Sequence, residues 1–171
     1  MRVRPSPSIF WCPPPPDWIK INVHGAVFPN NCAGIGVVVR DHRMAVQLAA
    51  GSGFYHWDPG QVELEALRSL RRLLSPDMLK AKGVIIEGDC KNVLEFCCNS
   101  MHRVTWSDAN FMARDLSFLA ELNQVLIRHI PREANRLVDF CAKFGSCNNF
   151  VWHDVTSAPT EFMEIVHDDF G

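Results

Sequence analysis

Three carboxylates lie at positions that solvation alone explains poorly. Glu63 continues the apolar stripe of a predicted helix over 59–74, Asp89 follows a predicted buried strand over 83–88, and Asp139 is embedded among apolar residues. Carboxylates that converge repel one another unless a cation lies between them. Oxygen ligands suit Mg²⁺ or Mn²⁺. Each acid taken alone is better explained as a capped or paired structural side chain, but the three together favour a divalent metal site.

The elements that would position these acids begin with three strands. From Trp18 to Ala26 apolar and polar side chains alternate, which predicts a strand. Two further strands are predicted over 33–40 and 44–54, each joined to its neighbour by a short turn. Short connections favour an antiparallel meander.

Beyond residue 55 the spacing of the apolar residues predicts helices that alternate with strands. Pro76 ends the first helix, and Gly145 ends the last one. A meander continued in this way predicts an α/β fold with a five-stranded mixed sheet and helices on its faces. The predicted elements are helices over 59–74, 91–98, 107–122 and 131–144, and strands over 83–88 and 124–130.

The composition predicts one folded domain with two flanking segments. The chain has 171 residues, of which 47% are hydrophobic and 21% charged, as in ordinary globular domains. Residues 1–17 are rich in proline and read as an extended spacer. The domain is predicted over 18–145, and residues 146–171 read as a polar, acidic tail.

Charge and cysteine content bear on partners and compartment. With 17 Lys and Arg against 19 Asp and Glu, the net charge is -2, so bulk charge cannot hold nucleic acid to this chain. The seven cysteines lack metal-ligand spacing and are expected to be reduced thiols. No apolar run is long enough for a membrane span, and the proline-rich start does not resemble a signal peptide. We expect an intracellular protein of the nucleus or cytoplasm with no membrane partner.

Five segments together resemble the plant reverse-transcriptase-like ribonuclease H domain, which is related to retroelements. They are Trp-Ile-Lys-Ile-Asn-Val-His-Gly-Ala at 18–26, Ala-Gly-Ile-Gly-Val-Val-Val-Arg-Asp at 33–41, Val-Glu-Leu-Glu-Ala-Leu at 62–67, Ile-Glu-Gly-Asp at 86–89 and His-Ile-Pro-Arg-Glu-Ala-Asn at 129–135. The resemblance covers roughly residues 11–170 and implies an RNase H-like fold.

The resemblance also implies an active site of four acids that hold two Mg²⁺ ions and hydrolyse the RNA strand of an RNA/DNA hybrid. Glu63, Asp89 and Asp139 fall on three of the four positions, and His24 stands where the family has its first Asp. A neutral imidazole offers one lone pair, so it cannot bridge two ions as a carboxylate does. Nitrogen also suits Mn²⁺ better than Mg²⁺. We therefore list His24 with the metal ligands but expect hydrolysis to be impaired.

Other residues receive weaker assignments. The resemblance implies that His129 lies near the scissile phosphate as a proton shuttle. Lys91, Arg132 and Asn135 are assigned to nucleic-acid contacts, although solvated surface positions would explain the two cations equally well.

Three functions remain compatible with the sequence. The first is binding of RNA or an RNA/DNA hybrid with little hydrolysis, because of His24. The second is an active Mg²⁺- or Mn²⁺-dependent ribonuclease H. The third is a domesticated retroelement fragment that acts through protein partners.

Overall fold

The computed structural model describes residues 4–5, 10–102 and 116–170. The strands are β1 (Arg4–Pro5), β2 (Trp18–Val27), β3 (Cys32–Asp41), β4 (Val46–Tyr55), β5 (Gly83–Gly88), β6 (Val125–His129) and β7 (Phe150–Trp152). The α-helices are α1 (Pro59–Leu73), α2 (Pro76–Leu79), α3 (Lys91–His102), α4 (Arg136–Cys147) and α5 (Thr160–Asp169). Short 3-10 helices cover Pro29–Asn31, Ser117–Glu121 and Arg132–Asn135.

One mixed sheet carries the fold, with strand order β1-β6-β5-β2-β3-β4-β7. The first three long strands, β2, β3 and β4, are antiparallel, and β5 and β6 continue from β2 in parallel. These observations confirm the predicted α/β class and mixed sheet. The predicted count of five strands is wrong, because β1 and β7 extend the two edges. Each pairs over two or three residues, which is too short to leave a periodic pattern in the sequence.

Alternate side chains of β2 point into different layers. Ile19, Ile21 and Val23 belong to the larger apolar cluster, which lies between the sheet and helices α1 and α3. The intervening residues Lys20 and Asn22 point to the opposite face and are buried. Helix α4 packs on that second face across β3 and β4. The second face thus combines an apolar half with a buried polar half.

The polar half of the second face is organised around a buried ion pair. Lys20 Nζ lies 2.9 Å from Glu87 Oε1, and both residues are almost fully buried. Arg40 lies beside them, paired with Asp169 at 2.6 Å and stacked on the ring of Trp11 at 3.9 Å. Trp11 is only 3% exposed, so part of the proline-rich segment packs against the sheet.

The segment after residue 145 contains two elements that the sequence analysis did not predict. β7 pairs with β4, and α5 packs against α4. Phe162, Ile165 and Val166 of α5 are buried in the smaller apolar cluster. Their spacing follows a helical period, so an amphipathic signal was present among the acidic residues.

Part of the predicted helix over 107–122 lies outside the described residues. Its described end contains the 3-10 helix Ser117–Glu121 rather than an α-helix. All seven cysteines are free thiols, as expected, and Cys97, Cys98 and Cys141 are buried. Among the helices that the structure describes, none is both long and apolar enough to cross a membrane.

Candidate active site

The strand order brings the predicted acids to His24. β2 and β5 are parallel neighbours, so His24 near the end of β2 lies beside Asp89, the residue that follows β5. Helix α1 supplies Glu63 from one side of the sheet, and α4 supplies Asp139 from the other. His24 itself is 3% exposed. Four residues from four different elements therefore share one site.

The imidazole of His24 lies between the three carboxylates. Its Nδ1 is 3.2 Å from Oε1 of Glu63 and 3.3 Å from Oδ1 of Asp89. On the other side of the ring, Nε2 is 3.2 Å from Oδ1 of Asp139. The ring thus separates Asp139 from the other two acids and meets all three at ion-pair distance.

Close backbone contact fixes the position of Glu63. A Cβ added to Gly25 would lie 2.6 Å from the backbone nitrogen of Glu63 and 2.6 Å from the carbonyl carbon of Val62. Only a glycine allows helix α1 to approach β2 this closely. The residue after His24 therefore sets the distance between the strand and the helix that carries Glu63.

Gly25→Ala is expected to destabilise the chain by about 1–3 kcal/mol, because α1 must move away from β2. Gly60→Ala is the matched control, since its added Cβ would meet only Asp58 Oδ1 at 3.4 Å. Urea unfolding monitored by circular dichroism measures both free energies of unfolding. Equal stability of the two variants would contradict the close approach.

The pKa values reflect this arrangement. Burial by itself lowers the pKa of His24, but the contacts with Asp139, Asp89 and Glu63 outweigh it and raise the pKa to about 11. The imidazole is therefore protonated at neutral pH. This corrects the sequence analysis, which treated His24 as a neutral side chain.

The pKa values of the three carboxyl groups depend on the balance between burial and the contact with His24. The contact with His24, aided by Lys143, lowers the pKa of Asp139 to about 2 against the opposing effect of burial. Burial would raise the pKa of Asp89, but His24 and Arg132 lower it below the usual range. Burial is dominant at Glu63 and raises the pKa of that carboxyl. The site thus contains one imidazolium and at least two ionised carboxylates at neutral pH.

The positions of the donor atoms limit which metal ions the site can hold. Ligand atoms of His24, Glu63 and Asp89 lie within 4.8 Å of one another and could meet a single ion. Such an ion would have to displace the proton from Nδ1 of His24. Asp139 faces the opposite nitrogen of the same ring. The residues therefore fit one ion at most, with one nitrogen ligand, and do not fit a two-ion arrangement.

A family model described as "Reverse transcriptase-like" matches residues 22–145, which is more than half of the chain. The chain belongs to the reverse transcriptase-like family. The matched range contains His24, Glu63, Asp89 and Asp139, so the whole site lies inside the reverse transcriptase-like domain. The comparison with curated protein sequences finds no match.

Solved structures of RNase H domains share the fold of this reverse transcriptase-like domain. The N-terminal RNase H domain of Rv2228c from Mycobacterium tuberculosis is 20% identical, with a TM-score of 0.61 over 75% of this chain and 93% of that one. RNase H1 from Halobacterium salinarum is 19% identical, with a TM-score of 0.57 over 75% and 96%. LC11-RNase H1, isolated from compost and solved in complex with an RNA/DNA hybrid, is 20% identical, with a TM-score of 0.54 over 74% and 94%. These likenesses confirm the RNase H-like fold.

A cleft opens above the site in the reverse transcriptase-like domain. Its lining includes His24, Glu63 and Asp89 together with His129 and Arg132. Nε2 of His129 lies 3.2 Å from the backbone oxygen of Asp89. Arg132 is mostly exposed, and its Nε lies 3.9 Å from Oδ2 of Asp89. Both side chains can reach a ligand in the cleft.

Asn135 and Lys91, the two other residues predicted to contact nucleic acid, do not line this cleft. Asn135 is 2% exposed, so the predicted contact with nucleic acid is wrong for this residue. Its amide donates to the backbone oxygen of Val23, and its Oδ1 accepts from Asn22 at 3.0 Å. Asn135 thereby ties the start of α4 to β2. Lys91 begins α3, is exposed, and lies 3.9 Å from Glu95, so its nucleic-acid contact stays a prediction.

The sequence analysis missed one charged side chain of the site. Lys143 Nζ lies 3.0 Å from Oδ2 of Asp139, one helical turn away on α4. The spacing of four residues between an acid and a lysine was the available signal. Lys143 and His24 hold Asp139 from two sides.

Proposed function

We propose that this reverse transcriptase-like domain binds RNA or an RNA/DNA hybrid in the cleft above His24 and hydrolyses it poorly. The observation that carries the proposal is the position of the His24 ring, at 3.2–3.3 Å from all three acids. Two-metal hydrolysis needs carboxylates that clamp two ions on one phosphate. Here a side chain that is a cation at neutral pH lies in the middle of the acids.

Binding of nucleic acid is supported by the cleft and by the shared fold. LC11-RNase H1, which has this fold, was solved in complex with an RNA/DNA hybrid. Arg132 and His129 stand at the rim of the cleft as donors for phosphate oxygens. With a net charge of -2, long-range attraction adds little, so we infer modest affinity with a shallow salt dependence. The free thiols of the chain support an intracellular setting, in the nucleus or the cytoplasm.

A slow nuclease that uses one metal ion is the second candidate. It is favoured by the group His24, Glu63 and Asp89, whose ligand atoms could meet one ion. A nitrogen ligand suits Mn²⁺ better than Mg²⁺. When bound, such an ion would supply charge stabilisation at a phosphate oxygen.

Binding and cleavage assays on the same hybrid separate these functions. Fluorescence anisotropy measures the affinity for a blunt RNA/DNA hybrid, single-stranded RNA and duplex DNA, each in EDTA, Mg²⁺ and Mn²⁺. We expect the hybrid or the RNA to bind in EDTA, with no cleavage in Mg²⁺ over hours. Cleavage in Mn²⁺ alone would favour the second candidate. A failure to bind any RNA-containing ligand would refute both candidates and favour a protein-interaction module.

A further inference from the structure

Three consecutive aromatic residues, Tyr55, His56 and Trp57, join the end of β4 to the start of α1. We refer to them as the aromatic ledge. Tyr55 is 81% exposed and Trp57 is 76% exposed. Among the tryptophans that the structure describes, Trp57 is the most exposed. Apolar side chains this open to water often mark a contact surface.

The ledge is held in a fixed shape by its own hydrogen bonds. The backbone N–H of Asp58 donates to Nδ1 of His56 at 3.0 Å, and the backbone N–H of His56 donates to the backbone oxygen of Asn31 at 2.9 Å. Asp58 also caps α1 by accepting from the backbone N–H of Gly60 at 2.9 Å. The rings of His56 and Trp57 stack at 4.8 Å with an interplanar angle of 13°. One face of the Trp57 indole therefore contacts His56, and the 76% exposure of the residue leaves surface for a flat partner.

The ledge borders the cleft of the candidate site. Pro59 lies two residues after Trp57 and lines the cleft together with Val27 and His24. Glu63 follows one helical turn later on the same helix. The ledge is therefore adjacent in the chain to a residue that lines the cleft.

We propose that the aromatic ledge is a stacking site for an unpaired base of the RNA strand that occupies the cleft. This inference rests on the proposed function. Stacking requires an ordered aromatic face and tolerates any base, and it does not require a basic surface. A chain with a net charge of -2 can therefore gain affinity at the ledge without added cations. The carboxylate of Asp58, which would repel a phosphate, is engaged by the N–H of Gly60.

The test compares a blunt RNA/DNA hybrid with hybrids that carry five unpaired RNA nucleotides at one end or the other. Fluorescence anisotropy is measured for the native chain, Trp57→Ala, Trp57→Phe and Phe170→Ala. Phe170 is the matched control, because it is an exposed aromatic residue at the end of α5. Circular dichroism verifies that each variant is folded.

We expect one of the unpaired extensions to tighten binding by the native chain about tenfold. Trp57→Ala should remove that gain without changing the affinity for the blunt hybrid, whereas Trp57→Phe and Phe170→Ala should keep it. A gain that persists in Trp57→Ala, or no gain in the native chain, overturns the inference and favours a protein partner for the ledge. The proposed function would survive either result.

A separate measurement covers failure of the proposed function itself. If the native chain does not bind the blunt hybrid, a short oligouridylate is titrated against the tryptophan emission. Quenching in the native chain that is absent in Trp57→Ala would keep the stacking site while restricting the proposed function to single-stranded RNA. Identical quenching of the two proteins would refute the stacking site alone, and no quenching of either protein would refute both proposals.

Discussion

His24→Asp is expected to raise Mg²⁺-dependent cleavage of the RNA strand of a hybrid by roughly a thousandfold or more over the native chain. The substitution removes the imidazolium that lies between the acids at 3.2–3.3 Å. It also supplies a fourth carboxylate beside Glu63, Asp89 and Asp139. Single-turnover cleavage of an end-labelled hybrid measures the rates of the native and variant chains in the same buffer.

His24→Asn is the matched control for this gain. Asn has nearly the size of Asp but no charge, so it removes the imidazolium without adding a metal ligand of comparable strength. We expect His24→Asn to stay inactive in both Mg²⁺ and Mn²⁺. Comparable rates for the native chain and His24→Asp would contradict the impaired-hydrolysis proposal.

The melting temperature tests the effect of His24→Asp on metal binding without relying on catalytic activity. Without metal, His24→Asp places four acids together and should be less stable than the native chain. Binding of Mg²⁺ to the folded form should then raise its melting temperature by about 5 °C at saturating concentration. The native chain should show no such shift, because His24 already supplies the positive charge.

Lys20→Ala is expected to destabilise the chain by about 3–5 kcal/mol. Lys20 and Glu87 are buried on the second face of the sheet, 2.9 Å apart. The lysine also donates to the backbone oxygen of Cys12, which belongs to the segment that carries the buried Trp11. Removing the lysine leaves the Glu87 carboxylate buried with one hydrogen bond from the Asn22 amide at 3.2 Å and the longer ion pair with Arg128 at 3.6 Å.

The exposed pair of Lys80 and Asp77 is the control for this prediction. These residues are 3.8 Å apart and largely solvated, so Lys80→Ala should change the free energy of unfolding by less than about 1 kcal/mol. Urea denaturation of both variants tests the contrast. The double substitution Lys20→Met, Glu87→Gln should be less harmful than Lys20→Ala, since no buried carboxylate is left without its lysine. Equal losses for Lys20→Ala and Lys80→Ala would argue against a stabilising role for the buried pair.

Local patterns in the sequence were sufficient to predict β2 to β6, α1 and α4, but not the ten-residue helix α5. Alternation in β2 and the helical period of α1 are local patterns, and a local pattern can be read without knowing the fold. The sequence predicted a mixed sheet with the acids at converging ends of its elements, and the structure shows that β2 pairs with β5, which places His24 beside Asp89. The short edge strands β1 and β7 were not predicted, because a strand of two or three residues is too short to show an alternating pattern.

The protonation state of the site depends on contacts that exist only in the folded chain. The sequence identified His24 as the departure from the family pattern, but the charge of an imidazole depends on neighbours that are distant in the chain. Glu63, Asp89 and Asp139 come from three other elements and together raise the pKa of His24 to about 11. The burial of Asn135 likewise depends on residues that are distant in the chain, because its side chain is hydrogen-bonded to β2. Charge state and burial depend on packing in three dimensions, and a linear pattern does not contain that information.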